Sequence, residues 1–140
     1  MRFVLDNSVS MRWLFADGSE ADRSYAERIL DYFDYPGCEA LVPAIWSLEV
    51  ANVIVKAEQK GLLTEGRSAE FVAILQQLGI RADGGTAPHG MHDTLQLARR
   101  FRLSSYDAAY LELALREGAP LATLDHALRA AVAATHAGLA

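Results

Sequence analysis

Asp6, Glu49, Asp107 and Asp125 stand at or just after four separate strand-to-helix junctions, in the segments FVLDNSV, PAIWSLEVAN, SSYDAAYLEL and LATLDHAL. In a chain that alternates strands with helices, such junctions collect at one edge of the sheet, where ligands bind. Four carboxylates converging there cannot all stay charged without a partner, and the natural partner is a hard divalent cation. All-oxygen donors suit Mg2+ or Mn2+, which also bridge phosphate oxygens.

Each acid also has an ordinary structural account. Asp6 ends a strand and precedes a helix, so a cap or an Asx turn would explain it. Glu49 lies three residues before Asn52, on one face of a run (Ile45, Trp46, Leu48, Val50, Val53, Ile54, Val55) that is apolar nearly all round. A carboxylate inside such a helix needs a partner, either an arginine or a metal. Asp107 near the start of its helix would be favoured by the helix dipole, and Asp125 would cap the last helix. The joint placement of the four at separate junctions of one sheet is what separates them from the other acids. Glu112 points away from the Asp107 face by helical phase, while Asp83 and Asp93 read as turn and cap residues.

The elements that must position these groups follow from the pattern. FVLD at 3–6, ALVP at 40–43, IRAD at 80–83 and PLATL at 120–124 read as short strands. Helices are expected over 8–15, from the Ser19 cap to about 33, to about 60, over 64–78, over 91–103, from a Ser105 cap to 117, and over 127–134. The helix ending near 60 is expected to be buried. Strands alternating with helices imply a parallel sheet covered on both faces through right-handed crossovers. The chain offers little beyond residue 134 for a further strand.

The 140 residues suffice for one domain with its own core, and 51% hydrophobic with 22% charged residues is an ordinary globular balance. No run is long enough to span a bilayer, and the N-terminal stretch is not a signal peptide, so a cytoplasmic protein is expected. The single cysteine, Cys38, fits a reducing compartment. The net charge of −5 argues against nonspecific duplex wrapping. The four junction acids supply −4 of it, so a metal-neutralised site leaves the remainder near −1. Arg12, Lys56, Lys60, Arg99, Arg100 and Arg102 are the candidates for steering a substrate; solvated helix faces are the competing account. His89, His92 and His126 have no ligand-like spacing that requires a metal, and no phosphate-binding glycine loop occurs.

With these residues placed, the chain resembles the PIN-domain family, and within it the VapC-type toxin ribonucleases of toxin–antitoxin systems. VLDNSV is similar to the family's opening strand with its Asp and following Ser/Thr. PAIWSLEVANVI is similar to the second motif, with Glu49 and Asn52. SSYDAAYLELA carries Asp107, and LATLD carries Thr123 two residues before Asp125. The resemblance covers nearly the whole chain and implies a single PIN domain over 1–140, an α/β fold with a mostly parallel four- to five-stranded sheet flanked by helices on both faces. It implies a Mg2+- or Mn2+-dependent endoribonuclease in which Asp6, Glu49, Asp107 and Asp125 hold one or two ions, Asp6 and Asp107 directly. Ser8, Asn52 and Thr123 would be the supporting groups. It further implies an RNA substrate, a cognate antitoxin and a homodimer. The patch Trp13, Leu14, Phe15 and the cluster Tyr32, Phe33, Tyr35 are candidates for the antitoxin groove, with core packing as the competing account.

Two other readings stand beside this one. Phosphatase or phosphotransfer chemistry would use the same acidic edge, but Ser8 occupies the place where a haloacid-dehalogenase-type enzyme wants a second Asp. A PIN-like module that binds RNA or a partner without cutting would have little need of four converging carboxylates.

Overall fold

Four short apolar runs form the sheet of the computed structural model, which describes residues 1–140. They are β1 (Arg2–Leu5), β2 (Glu39–Val42), β3 (Ile80–Ala82) and β4 (Leu121–Ala122). Every pairing is parallel, in the order β3-β2-β1-β4. The register sets Val4 beside both Leu41 and Leu121. The chain therefore builds outward from β1 to β3, then returns to the far side of β1 for β4. That reversal makes a switch point between β1 and β4, and ligands bind outside the carboxyl ends of strands at such points.

Strand alternation sends successive side chains to opposite faces, and both faces are covered. On one, Val4, Leu41 and Leu121 pack against Tyr110, Leu111 and Ala114 of α7 (Ser105–Glu117) and Leu128 of α8 (His126–Ala133). On the other, Phe3, Leu5, Ala40 and Val42 pack against Val9 of α1 (Asn7–Ser10) and Ala26 and Ile29 of α2 (Glu20–Asp31). A third cluster joins Val50 and Ile54 of α3 (Trp46–Gln59) to Phe71 and Leu75 of α4 (Glu65–Gln77). No helix is long and apolar enough to cross a membrane.

Helix starts follow side-chain chemistry. Ser19 and Thr64 accept hydrogen bonds from the Asp22 and Arg67 N–H groups, each at 3.1 Å. The cap of α7 is Ser104, which accepts from the Asp107 N–H at 3.0 Å; Ser105, the expected cap, is the first helical residue. Either serine fits the sequence pattern, and only backbone geometry separates them.

Three further expectations are corrected. The helix over 8–15 is one α-turn followed by a 3-10 turn at Met11–Trp13, where the Trp13 indole N–H donates to the Ala26 carbonyl and draws the chain onto α2. The helix over 91–103 is a π-helical turn at Gly90–Thr94 followed by α6 (Leu95–Phe101), which ends at left-handed Arg102, and a short α5 (Thr86–His89) precedes it. Helix α3 is not buried all round: Leu48 is 70% exposed and Val55 44%, because the Val50–Ile54–Ala57 stripe is the face that packs into the core. Tyr32 and Phe33 pack edge-on against Phe3, and Trp13 against Phe33, as the core-packing account has it, while Trp13 and Leu14 also line a small surface cavity, Phe15 lines a groove, and Tyr35 is exposed. The C-terminal strand is reduced to a single parallel bridge from Leu121 to Leu139.

Gly79 marks the tightest approach between the loop entering β3 and the neighbouring chain. A Cβ there would lie 2.7 Å from the Cys38 carbonyl oxygen, a backbone atom that cannot swing aside. Gly79→Ala should therefore destabilise the protein by about 1–3 kcal/mol, read as a lower urea midpoint with an unchanged m-value.

Candidate active site

Asp6 follows β1 directly, at the switch point, and is 5% exposed. It occupies the cap position of α1 with extended backbone, yet its carboxylate makes no capping hydrogen bond. Its Oδ2 instead accepts from Ser8 Oγ at 2.6 Å and Thr123 Oγ1 at 2.8 Å. Ser8 Oγ in turn accepts from the Leu124 N–H at 2.9 Å, and Thr123 Oγ1 accepts from the Asp125 N–H at 3.1 Å. Two hydroxyls thus tie the end of β1 to the end of β4, both through one oxygen of Asp6. Burial raises the Asp6 proton affinity, and Asp125 adds to it, while both hydroxyls and the Asn7 N–H work against the rise.

Glu49 lies in the first turn of α3, which follows β2 and so begins at the same edge. No arginine pairs with it. Its Oε1 accepts from the Tyr110 hydroxyl at 2.5 Å. Burial raises its proton affinity above the usual carboxyl value, the Tyr110 bond opposes this, and the charges of Asp6 and Asp107 add to it. Tyr110 is fully buried, and burial followed by the bond to Glu49 pushes its phenol upward, so it stays a donor.

Asp107 sits in the first turn of α7, which follows α6 and not a strand, so the expected strand-to-helix junction is a helix-to-helix one; the charges of Asp125 and Asp6 act on it, which sets the start of α7 at the same edge. Half-buried, it has a carboxyl raised from 3.8 to about 6, by burial first, then by Asp125 and Asp6, with the Ser104 hydroxyl opposing. Asp125 keeps its cap role: its Oδ1 accepts from the Leu128 N–H at 2.9 Å. Its charge nevertheless acts on Asp6 and Asp107. Capping and clustering coexist, because the cap uses one carboxylate oxygen only.

Asp6 and Asp107 therefore act on each other and on both Glu49 and Asp125 across the switch point, and none of the four forms a salt bridge. Of the supporting residues, Ser8 and Thr123 touch Asp6, whereas Asn52 is exposed and bonded to no protein group. Tyr110 is the residue that sequence reasoning missed. Its signal was its place three residues after Asp107, on the same helix face, hidden within an apolar run.

A separate polar group lies farther along α7. Ligand-type atoms of His89, Asp93 and Glu112 fall within 4.8 Å of one another. Arg116 already neutralises Glu112 with bonds of 2.7 and 3.2 Å, and also binds Asp83 at 2.5 Å. This is an ion-pair network holding the loop after β3 to α7, distinct from the four junction acids. His92 is exposed and outside it.

The sequence profile of the PIN domain matches residues 3–133, so the chain belongs to the PIN domain family, whose members are typically nucleases that use divalent metals. The fold is similar to the crystal structure of PAE2754 from Pyrobaculum aerophilum, with a TM-score of 0.63 and 18% identity over 94% of this chain and 87% of that one. It is also similar to a toxin–antitoxin complex from Klebsiella pneumoniae, with a TM-score of 0.54 and 20% identity over 88% of this chain and 86% of that one. No curated protein matches the sequence.

The raised Asp107 carboxyl has a consequence for stability without metal. The folded state binds more protons than the unfolded state between about 4 and 6, so this group's contribution is present below about 4 and lost as pH rises through about 6. Asp107→Asn should then stabilise the metal-free protein at pH 7.5 by on the order of 1 kcal/mol, after allowance for solvent screening and the lost helix-dipole attraction. Thermal melts in EDTA check this: the gain should shrink toward zero near pH 4.

Proposed function

We propose that this protein is a Mg2+- or Mn2+-dependent endoribonuclease that cleaves RNA phosphodiester bonds and acts as the toxin of a toxin–antitoxin pair. The observation that carries the reading is the mutual action of Asp6, Glu49, Asp107 and Asp125 across the switch point of a PIN fold, with no cationic side chain paired to any of them. Such a donor set fits a hard cation, since carboxylates that raise one another's proton affinity need either protons or a metal. Bound there, the metal would supply charge neutralisation, polarisation of the phosphoryl oxygen and an activated water.

The protein's own groups divide the remaining work. Asp6 and Asp107 would hold the metal directly, and Glu49 and Asp125 directly or through water. Ser8 and Thr123 fix the Asp6 carboxylate by occupying Oδ2, and the Tyr110 hydroxyl fixes Glu49. Asn52, one turn beyond Glu49 and open to solvent, is placed to orient water or substrate from outside. RNA is preferred as substrate because an exposed edge site reads splayed single strands more readily than a closed duplex.

The toxin role draws on the likeness to the Klebsiella pneumoniae toxin–antitoxin complex. An antitoxin and a second copy of the chain are the expected partners. Exposed Leu48 and Val55 on α3, with Val72 and Ile74 on α4, supply apolar surface that such partners would cover.

Purified protein should cleave single-stranded RNA with Mg2+ or Mn2+ and lose that activity in EDTA. Asp6→Asn and Asp107→Asn should each abolish cleavage while keeping the native circular dichroism spectrum. Tyr110→Phe, which removes only the bond to Glu49, should cost about 10–100-fold in metal affinity or rate. Undiminished cleavage by both Asp variants would overturn the reading. Growth arrest on induction, relieved by the product of an adjacent short reading frame, tests the toxin role.

A further inference from the structure

The chain contains only two lysines, Lys56 and Lys60, and both line one groove of about 500 Å3. The groove begins at Ser8, whose hydroxyl holds Asp6, and also takes in Arg12 and Val53. At 3.6 residues per turn, Glu49, Val53, Lys56 and Lys60 fall on one narrow stripe of α3. The groove therefore runs from the carboxylate site along the helix. By the helical rise, Lys56 and Lys60 lie about 10 and 16 Å along the axis from Glu49.

Both lysines are exposed, and neither forms a salt bridge. Arg12 is held at the groove by its ion pair with Asp17, which also lines it, and its buried Nε has no acceptor. Three cations against one carboxylate make this groove positive on a protein of net charge −5. A local field of that kind, leading into an acidic site, selects for a polyanion that continues past the site rather than for a small phosphate ester.

We propose that Lys56 and Lys60, flanked by Arg12, bind successive phosphates of the single-stranded RNA on one side of the scissile bond. The two lysine backbone positions are spaced by about 6 Å along the helix axis, on the order of one step of an extended strand. As freely rotating point charges, lysines hold backbone phosphates without reading bases, so these residues set affinity and register rather than sequence choice. The identity of the strand as RNA rests on the nuclease reading above; the presence of a polyanion track does not.

The test is fluorescence anisotropy with a labelled, mixed-sequence, single-stranded oligoribonucleotide, in the Asp6→Asn background with Mg2+, across a salt series. Lys56→Gln/Lys60→Gln should weaken binding by roughly tenfold or more and reduce the salt slope by about 1.4, or 0.7 per lost phosphate contact. Arg2→Gln/Arg81→Gln, whose side chains pair with Glu117 and Glu39 outside the groove, should not. In the otherwise native enzyme the lysine pair should raise KM and leave kcat unchanged. Acetylation by an amine-reactive reagent gives a check without mutation: the oligoribonucleotide should protect both lysines but not the Met1 amine. Unchanged affinity and salt slope, no binding by the parent, or lysine protection by polyglutamate but not by RNA would each overturn the proposal. If the parent binds as expected but the native protein cleaves no RNA, the track stands and the nuclease reading fails.

Discussion

Mutual repulsion among carboxylates at the switch point of the sheet is the constraint on which the rest of this structure depends. A buried Asp6 is costly in water-free surroundings, and three further acids nearby make it costlier. The fold answers with hydroxyls rather than cations. Ser8 and Thr123 both donate to the same Asp6 oxygen, and each hydroxyl also accepts a backbone N–H from the segment after β4. Tyr110 does the same for Glu49 from within the core.

This arrangement ties the stability of the protein to the protonation of its acids, since the raised Asp107 carboxyl favours the fold while protonated and loses that contribution once charged. Asp125 illustrates how little extra structure is required. One of its oxygens caps α8 in the ordinary way, and its charge still reaches Asp6 and Asp107. The polar network of Arg116, Glu112, Asp83 and His89 follows the contrary rule: there the guanidinium is present, the acids are neutralised, and the loop after β3 is fastened to α7.

The unpaired surfaces carry as much information as the site. Helix α3 presents its Val50–Ile54–Ala57 stripe to the core, its Glu49–Val53–Lys56–Lys60 stripe to the groove, and Leu48 and Val55 to solvent. One helix therefore joins three surfaces, which explains why its sequence reads as apolar nearly all round although the single chain buries only one side. Sequence hydrophobicity reports that a face will be covered. It does not report whether the cover belongs to the same molecule.

The four strands, their parallel pairing, the helices on both faces and the placement of Asp6, Glu49 and Asp125 after strands were legible from the sequence, because period-2 and period-3.6 apolar patterns are local, whereas Asp107 opens a helix that follows α6. The single-domain class followed from the same alternation. Local pattern did not decide which serine caps α7, because Ser104 and Ser105 are equally able. Nor did it show that residues 8–15 would tighten into a 3-10 turn, since that depends on an indole reaching α2. Tyr110 as the partner of Glu49, and the two lysines as neighbours of Ser8, join residues far apart in sequence. Such contacts exist only once the sheet has reversed direction at β1 and set α3, α7 and the end of β4 around one edge.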